Sequence, residues 1–343
     1  MNGRRRTVLI AGIGGASLGT ELLKCLAATS RYRVFGCDVS PLAYGHSEEG
    51  FENTFTVPRD GYVHAVSELA LEIGAEALIP GGEEPMVLLA RDAAGFESCG
   101  TRVLANTPGV VALCSDKGRC LRRLAEMGVP VPVTRMVRAP EDLAGLVFPV
   151  ILKPATGSGG SDLVFLAGDD GEAGHFARWI LASGREVVAQ EYIAEDGGEF
   201  TVGVLHRPDG GLIGSVALRR LFHTKLSVAQ RNASGLISSG YSQGRIEEFR
   251  DVRNQAERIA GALDSRGPCN VQGRVRDGVL LPFEVNPRFS ASTYLRTLAG
   301  FNEVDLMLRA VLDGEIVEPG PLRPGWYLRS LTEKRVESPR EAR

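Results

Sequence analysis

Four polar residues interrupt an apolar, strand-like stretch in the last third of the chain. The stretch 270–290, NVQGRVRDGVLLPFEVNPRFS, contains Gln272, Glu284, Asn286 and Arg288. Glu284 and Asn286 are two residues apart, so on a strand their side chains point to the same face. A carboxylate beside an amide oxygen suits Mg²⁺, a cation that proteins usually share with substrate phosphates. Arg288 occupies the next same-face position if the strand runs that far, and could stabilise a developing negative charge.

The turn between the two halves of this stretch decides whether the polar residues meet. Asp277-Gly278 marks a hairpin turn. A two-residue loop pairs Gln272 with Phe283 and leaves Gln272 on the face opposite Glu284. A three-residue loop, 276–278, with its glycine in the left-handed conformation, shifts the pairing by one. We therefore predict a three-residue turn, or another loop of odd length, with all three oxygen ligands on one face.

A lysine at the end of an apolar strand precedes a loop of small residues. The strand FPVILKP ends at Lys153, and TGSGGS follows at 156–161. Burying a lysine is costly without an anionic partner. Small residues allow backbone N–H groups to converge into an anion-binding nest. The pair indicates a phosphate site, although the lysine precedes the glycines and so differs from the Walker pattern. A flexible hairpin loop is the alternative.

The N-terminal third predicts a parallel α/β sheet. The buried strand 7–11 is followed by a glycine-rich turn, Gly12–Gly19, a helix, and a second strand that ends at Asp38. This arrangement resembles a dinucleotide-binding start, but the spacing is not GxGxxG. A tight turn in a Rossmann-like sheet is the competing interpretation.

Two acidic residues follow the predicted strand 77–80. Glu83 and Glu84 lie at the carboxyl end of this strand, where open α/β sheets place ligands. Either residue could bind the amine of a substrate, or both could simply stabilise the start of a helix.

Basic residues mark two further segments. Ser115 predicts the N-cap of a helix that runs to about Met127, and Lys117 at its start opposes the helix dipole, which suggests a role beyond stability. The segment 218–244 carries a cluster of basic residues, which indicates either a solvated loop or a site for an acidic substrate or phosphate. We expect the charged tail, 332–343, to be disordered.

The bulk composition is that of an ordinary globular protein. The chain has 343 residues, 43% of them apolar and 24% charged, and a net charge of −3. Nothing here favours nucleic-acid binding, and no apolar run could span a bilayer. The six cysteines are scattered without a CxxC pair, which favours free thiols in a reducing compartment. We therefore expect a cytoplasmic protein.

In order, the motifs SDK, FPVILKP with TGSGGS, QEYI, GEFTVGVL and NVQ…FEVNPRFSAS resemble the ATP-grasp superfamily. The resemblance covers roughly residues 7–314 and is strongest to single-unit relatives of the carbamoyl-phosphate synthase large subunit. It implies an α/β (α+β) fold in four parts. These are an N-terminal Rossmann-like domain (1–114), a central lid (115–188), a C-terminal antiparallel-sheet subdomain (189–330) and a disordered tail (331–343).

The resemblance also implies roles for individual residues. ATP contacts are implied for Lys117, Lys153, Thr156, Gly157, Ser158, Gly159, Gly160, Ser161, Gln190, Glu191, Tyr192, Ile193 and Glu199. Among these, residues 190–193 resemble the hinge strand, with Glu191 and Ile193 at the adenine, and Glu199 resembles the acid that binds the ribose hydroxyls. Magnesium ligands are implied for Gln272, Glu284 and Asn286, with Mn²⁺ able to substitute, and catalytic roles for Arg288 and Lys153. The resemblance assigns no substrate motif to the segment 218–244. Candidate substrate contacts are therefore taken from the residues themselves: Glu83 and Glu84 for an amine, and Arg220, Lys225 and Arg231 for a carboxylate.

The implied reaction is the ligation of a carboxylate to an amine through an acyl-phosphate, with release of ADP and phosphate. The expected substrates are small metabolites, in particular amino acids, with no nucleic-acid or membrane partner and a homodimer left open. Only one ATP-grasp unit is visible, and no amidotransferase signature, so we do not expect carbamoyl phosphate synthesis. A non-catalytic ATP-binding regulator and an NAD(P)-dependent oxidoreductase are the alternatives.

Overall fold

A computed structural model of the chain describes residues 4–14, 18–157, 163–336 and 338–341. The N-terminal part is a parallel sheet in the order β3-β2-β1-β4-β5. Its strands are β1 (Arg6–Ala11), β2 (Tyr32–Asp38), β3 (Asn53–Thr56), β4 (Ala77–Pro80) and β5 (Arg102–Val103). The helices of this part are α1 (Leu18–Ala27), α2 (Tyr62–Ile73), α3 (Glu83–Arg91), α4 (Ala93–Ser98) and α5 (Pro108–Cys114). The predicted Rossmann-like start is confirmed.

The central part is a four-stranded antiparallel sheet in the order β6-β9-β7-β8. Its elements are α6 (Lys117–Glu126), β6 (Thr134–Val137), β7 (Val150–Pro154), β8 (Phe165–Ala167), α7 (Asp170–Ala182) and β9 (Val187–Glu191). α7 covers one face of the sheet through Ala177 and Ile180, which pack against Leu152 and Val187. The predicted boundary between residues 188 and 189 falls inside β9, and the proposed domain limits stay a prediction.

The C-terminal part is a six-stranded sheet in the order β16-β15-β10-β11-β14-β17. Its strands are β10 (Glu199–His206), β11 (Leu212–Arg220), β14 (Gly244–Glu247), β15 (Pro268–Arg276), β16 (Val279–Asn286) and β17 (Gly325–Tyr327). A separate hairpin is formed by β12 (Val228–Asn232) and β13 (Gly235–Ser238), and the helices are α8 (Arg250–Ala262), α9 (Thr293–Leu298) and α10 (Glu303–Leu312). Together the three parts confirm the predicted α/β fold class.

The first and last parts of the chain share one apolar core. Val8 and Leu22 of the N-terminal domain belong to the same buried cluster as Leu205, Phe289 and Val304. The N-terminal sheet is therefore held against the C-terminal sheet by buried apolar surface, the main favourable contribution to domain association.

The hairpin of β15 and β16 differs from the prediction in one respect. The turn has two residues, Asp277 and Gly278, both with positive φ (51° and 77°), so the predicted three-residue loop is wrong. A β-bulge at Phe283 then shifts the register, and Gln272 pairs directly with Glu284. Directly opposed residues share a face, so the predicted common face is reached through a bulge within the strand.

The start of α6 differs from the prediction by one residue. Ser115 follows α5 as its C-cap, and the N-cap of α6 is Asp116, whose carboxylate accepts a hydrogen bond from the Arg119 N–H at 2.9 Å. Asp116 offers a charged acceptor to the open amides of the helix, which makes it the stronger cap. Lys117 is consequently the first residue of α6.

The charged tail forms neither helix nor strand over residues 328–336 and 338–341. It nevertheless contacts the N-terminal domain: the Arg340 backbone N–H donates to the Pro41 carbonyl at 2.8 Å, and its side chain reaches Thr54 at 3.2 Å. In the described part of the chain, no helix combines the length and apolarity needed to cross a bilayer.

Candidate active site

A cavity of about 440 Å³ lies where the three parts of the chain meet. The central sheet supplies one wall, the β15–β16 hairpin a second, and the loop after β4 a third. Most of the residues predicted to form a site line it: Glu83, Lys117, Lys153, Gln190, Glu191, Tyr192, Ile193, Glu199, Gln272, Glu284, Asn286 and Arg288.

The three candidate cation ligands lie together on the hairpin. Gln272 stands opposite Glu284, and Asn286 is two residues beyond Glu284 on the same strand. The set holds one carboxylate and two amides, and the described residues contain no group of three or more His, Cys, Asp or Glu side chains that could hold a metal ion. Mg²⁺ is commonly held by one or two carboxylates together with substrate phosphates. The donor set therefore fits a cation that a bound phosphate helps to coordinate.

Two buried lysines face these ligands. The Lys117 Nζ lies 3.7 Å from the Glu284 Oε1. The Lys153 Nζ donates to the Gln190 Oε1 at 3.0 Å and to the Phe283 carbonyl at 2.9 Å. Phe283 is the residue that the bulge leaves out of the ladder, so the same irregularity that aligns the ligands also contributes an acceptor for Lys153.

Burial lowers the pKa of Lys153 to about 8, with the positive charge of Lys117 adding to the shift and Glu284 opposing it. Lys153 is 5% exposed. The Lys153 ammonium is held by two neutral oxygens and the Lys117 ammonium lies beside one carboxylate, and two ammonium groups in one cavity suit an anionic ligand.

Arg288 lies beyond the end of β16, because the strand stops at Asn286. It still lines the cavity. Its Nη1 donates to the Phe289 carbonyl at 2.9 Å, while its buried Nε has no hydrogen-bond partner among the described residues. Burial lowers the pKa of Arg288, and the charges of Glu284 and Glu83 act against this. Glu83, the first residue of α3, lines the same cavity.

Glu199, predicted to bind a ribose, lines the cavity and is paired with two arginines. Its carboxylate lies 2.8 Å from the Arg274 Nε and 3.3 Å from the Arg220 Nη1, and the residue is 1% exposed. Arg220 also donates to the carbonyl of Ser239 at 2.7 Å. Arg220, a candidate substrate contact, therefore neutralises a buried carboxylate that lines the cavity, while Arg220 itself does not line it. The physical reason is that a buried charge needs a partner.

The buried cluster of Glu199, Arg220 and Arg274 predicts a large loss of stability when Glu199 is substituted. Glu199→Ala leaves Arg220 and Arg274 buried without their carboxylate, and we expect a loss of about 3–5 kcal/mol in the free energy of unfolding. Glu97→Ala is the matched control, because it breaks an exposed pair with Arg102 and should cost less than about 1 kcal/mol. Urea unfolding measures both; equal losses would contradict the buried role.

The segment after β9 carries the predicted hinge residues. Gln190, Glu191, Tyr192 and Ile193 all line the cavity. The Glu191 Oε2 accepts from the Val133 N–H at 3.0 Å, so its carboxylate is engaged by the protein. A flat ligand at this wall would therefore meet backbone groups and the Tyr192 ring.

Several predicted residues are not brought to the cavity. Lys225 and Arg231 are exposed on the segment around β12 and do not line it. Glu84 is exposed, pairs with Arg59 at 3.3 Å and lines a separate cavity. Thr156 and Gly157 are exposed outside the cavity, and Ser158, Gly159, Gly160 and Ser161 lie outside the described residues.

Sequence reasoning missed other residues of the cavity. Asn270 and Arg274 lie two residues either side of Gln272 on the same face of β15, a spacing that could have identified them. The Asn270 Oδ1 accepts from the Arg296 Nη2 at 2.6 Å and is therefore not free to bind a cation. The segment 238–242, SSGYS, also lines the cavity; its serines and tyrosine after an apolar strand were its only signal.

Comparisons with known proteins identify the family and the fold of the chain. The sequence profile of the ATP-grasp domain matches residues 114–292. A carbamoyl phosphate synthase large chain from Rubrobacter xylanophilus is 25% identical over 246 residues, covering 70% of this chain and 22% of that protein. The chain thus spans about a fifth of the length of the curated relatives it matches, 22% and 19% in two cases.

Two solved structures share the fold. An L-amino acid ligase from Bacillus licheniformis superposes with a TM-score of 0.66 at 18% identity, covering 94% of this chain and 78% of that one. The biotin carboxylase domain of the Hydrogenobacter thermophilus 2-oxoglutarate carboxylase was solved in complex with MgADP, ADP and bicarbonate. It superposes with a TM-score of 0.65 at 19% identity, covering 90% of this chain and 70% of that one.

Proposed function

Since the chain belongs to the ATP-grasp family, we propose that it is an ATP- and Mg²⁺-dependent ligase that joins a carboxylate to an amine. One observation carries the proposal: Lys117, Lys153 and Arg288 converge in a single cavity with the cation ligands of the β15–β16 hairpin. The lysines could bind a polyphosphate, the hairpin residues could bind the cation that accompanies it, and Arg288 could stabilise the charge that develops during phosphoryl transfer.

ATP would lie between the central and C-terminal sheets. Its base would contact the wall formed by Gln190–Ile193, and its phosphates would contact Lys117 and Lys153. Glu199 lines the cavity, and although two arginines offset its charge, its Oε1 has no hydrogen-bond partner among the described residues, so this oxygen could accept from a ribose hydroxyl.

Gln272, Glu284 and Asn286 would hold the magnesium ions. When bound, Mg²⁺ supplies positive charge to the phosphate oxygens. In the described structure Lys117 offsets the Glu284 charge at 3.7 Å, so Lys117 keeps this carboxylate paired when the phosphates are absent.

The proposed chemistry places the substrate carboxylate beside Arg288. A carboxylate oxygen attacks the γ-phosphorus, ADP leaves and an acyl-phosphate forms. The amine then attacks the acyl carbon, phosphate leaves, and the amine gives up a proton as the amide bond forms. The guanidinium of Arg288 would hold the transferring phosphoryl group, and exclusion of water would protect the acyl-phosphate from hydrolysis.

Amino acids are the proposed substrates. Glu83 lies on the same cavity as Arg288, and a carboxylate at this wall could bind an ammonium group through a charge-assisted hydrogen bond. An L-amino acid ligase shares the fold over most of both chains, which supports the same class.

A substrate panel tests the proposal. The full-length protein is incubated with ATP, Mg²⁺ and pairs drawn from amino acids and small carboxylic acids, and ADP release and product mass are measured. We expect ADP release that needs both substrates and Mg²⁺. Tight ATP binding with no ADP formed across the panel would instead favour a regulatory ATP-binding protein. A thermal shift with NAD but none with ATP–Mg²⁺ would favour an oxidoreductase.

The pKa of Lys153 predicts how ATP affinity depends on pH. With a pKa of about 8 in the ligand-free protein, the ammonium form predominates at pH 7 and is mostly lost at pH 9. The Kd for ATP–Mg²⁺ should therefore rise about tenfold between pH 7 and pH 9, since one pKa unit corresponds to a factor of ten. Isothermal titration calorimetry measures it.

Lys153→Arg is the control for this prediction. Arginine stays protonated throughout this range, so its pH dependence should be nearly flat even if its affinity is lower. Equal slopes for the two proteins would show that another group titrates.

A further inference from the structure

A second cavity, of about 270 Å³, lies in the N-terminal domain. It opens over the carboxyl ends of β1, β2 and β4, and Gly81 and Gly82 line both this cavity and the larger one. The order β3-β2-β1-β4-β5 reverses direction between β1 and β4. Open α/β sheets bind ligands in the crevice beside such a reversal. None of the residues assigned to ATP or Mg²⁺ lines this cavity.

The polar side of the second cavity is acidic. The Asp38 Oδ2 accepts from the Ile13 N–H at 2.8 Å, and its Oδ1 accepts from the Ser40 N–H at 2.9 Å. Each carboxylate oxygen can accept a further hydrogen bond. Glu84 and Arg59 form an exposed pair at 3.3 Å across the mouth. Two carboxylates against one guanidinium disfavour a phosphorylated ligand and favour a neutral one that donates hydrogen bonds.

The opposite side is apolar with one unsatisfied polar group. Val39, Pro85 and Leu88 line it together with Tyr62. Tyr62 is 8% exposed, and its buried hydroxyl has no hydrogen-bond partner among the described residues. Burial raises the pKa of Tyr62, and the nearby charges of Asp38 and Glu84 add to the shift, so the hydroxyl stays neutral and can both donate and accept. A buried hydroxyl without a partner is costly, unless a ligand supplies one.

We propose that the second cavity binds an uncharged nucleoside, with ribose hydroxyls donating to Asp38 and the base against Leu88 and Tyr62. The acid at the end of the second strand of a βαβ unit is the position that binds a ribose in dinucleotide-binding folds. A flat base fits an apolar wall with one hydrogen-bonding hydroxyl. Apart from Gly81 and Gly82, the site shares no residue with the larger cavity, so adenosine binding can be tested separately from the proposed ligase activity.

Adenosine binding to protein preloaded with a non-hydrolysable ATP analogue and Mg²⁺ tests the proposal. The analogue occupies the larger cavity, and its charge excludes it from the acidic one. Isothermal titration calorimetry should then show one further adenosine bound per chain. Tyr62→Phe should raise the Kd of adenosine about five- to tenfold, the ratio expected for one lost hydrogen bond, and Leu88→Trp should abolish binding by filling the cavity.

Thermal melting separates this role from a structural one. Removing an unsatisfied hydroxyl should leave the Tm of Tyr62→Phe unchanged or higher, whereas a hydroxyl that supports the fold would lower it. Tyr44→Phe, which removes a surface hydroxyl bonded to Thr332 at 2.9 Å, is the matched control and should retain the wild-type Kd for adenosine. If the preloaded protein bound no adenosine, or if the Kd of adenosine were unchanged in Tyr62→Phe, the proposal would be overturned.

Discussion

Glu284→Gln should lower substrate-dependent ADP release by at least about 100-fold, the order of loss seen when groups around a catalytic metal are removed. Glu284 is the single carboxylate among the three candidate ligands and lies directly opposite Gln272. Glutamine keeps the size of the side chain but removes the charge that attracts a divalent cation. The Mg²⁺ concentration for half-maximal activity should rise in parallel. Steady-state ADP release across a Mg²⁺ titration measures both quantities.

Glu97→Gln is the matched control for this substitution. Glu97 forms an exposed pair with Arg102, and neither residue lines the cavity, so the activity and the Mg²⁺ dependence of this variant should equal those of the wild type. If Glu284→Gln retained wild-type turnover with the same Mg²⁺ dependence, the cation would bind elsewhere.

Arg288→Lys should lower kcat about 10²–10³-fold, the effect of removing one aimed donor to a transition-state charge, while ATP affinity is retained. The Arg288 Nε is buried without a partner in the described part of the chain, and its planar donors can contact two phosphoryl oxygens at once. Lysine keeps the charge but not this geometry. Single-turnover ADP formation together with ATP titration separates the two quantities.

Arg102→Lys makes the same arginine-to-lysine exchange at an exposed position and is the matched control. A variant Arg288→Lys that bound ATP more weakly in proportion to its loss of rate would place Arg288 among the ATP-binding residues. The catalytic role requires a loss in kcat that exceeds the loss in affinity.

Local patterns predicted much of the site. The two-residue spacing of Glu284 and Asn286 predicted a common face, because side chains alternate along any strand. Lys153 at the end of an apolar strand predicted a buried cation. Both residues line the same cavity, and neither prediction needed knowledge of distant partners.

The register of the hairpin could not be predicted in this way. The Asp277-Gly278 turn has the two residues that its sequence favours, and alone it would have separated Gln272 from Glu284. The bulge at Phe283 restores the common face. Whether a bulge forms depends on the groups that the strand contacts outside the hairpin. Here the Phe283 carbonyl accepts a hydrogen bond from the Lys153 ammonium at 2.9 Å.

The environment of the basic residues in the segment 218–244 could not be predicted from the sequence either. The basic segment 218–244 could equally have been solvated or ligand-binding by composition, and the structure separates its members. Arg220 is buried against Glu199, whereas Lys225 and Arg231 are exposed. The difference is the presence of a buried carboxylate on β10, about 20 residues earlier in the chain, which composition cannot reveal.

By itself, the sequence determined the parallel sheet of the N-terminal domain, because this follows from apolar periodicity. Its ordered motifs, through their resemblance to the ATP-grasp superfamily, predicted the rest of the α/β fold and the residue types that line one cavity. Tertiary structure alone decided which of those charges remain available. A buried charge needs a partner: Glu199 is paired with Arg220 and Arg274. By contrast, the Lys153 ammonium is held by two neutral oxygens, and the Arg288 Nε has no hydrogen-bond partner among the described residues. This difference arises only when three sheets, distant in sequence, come together.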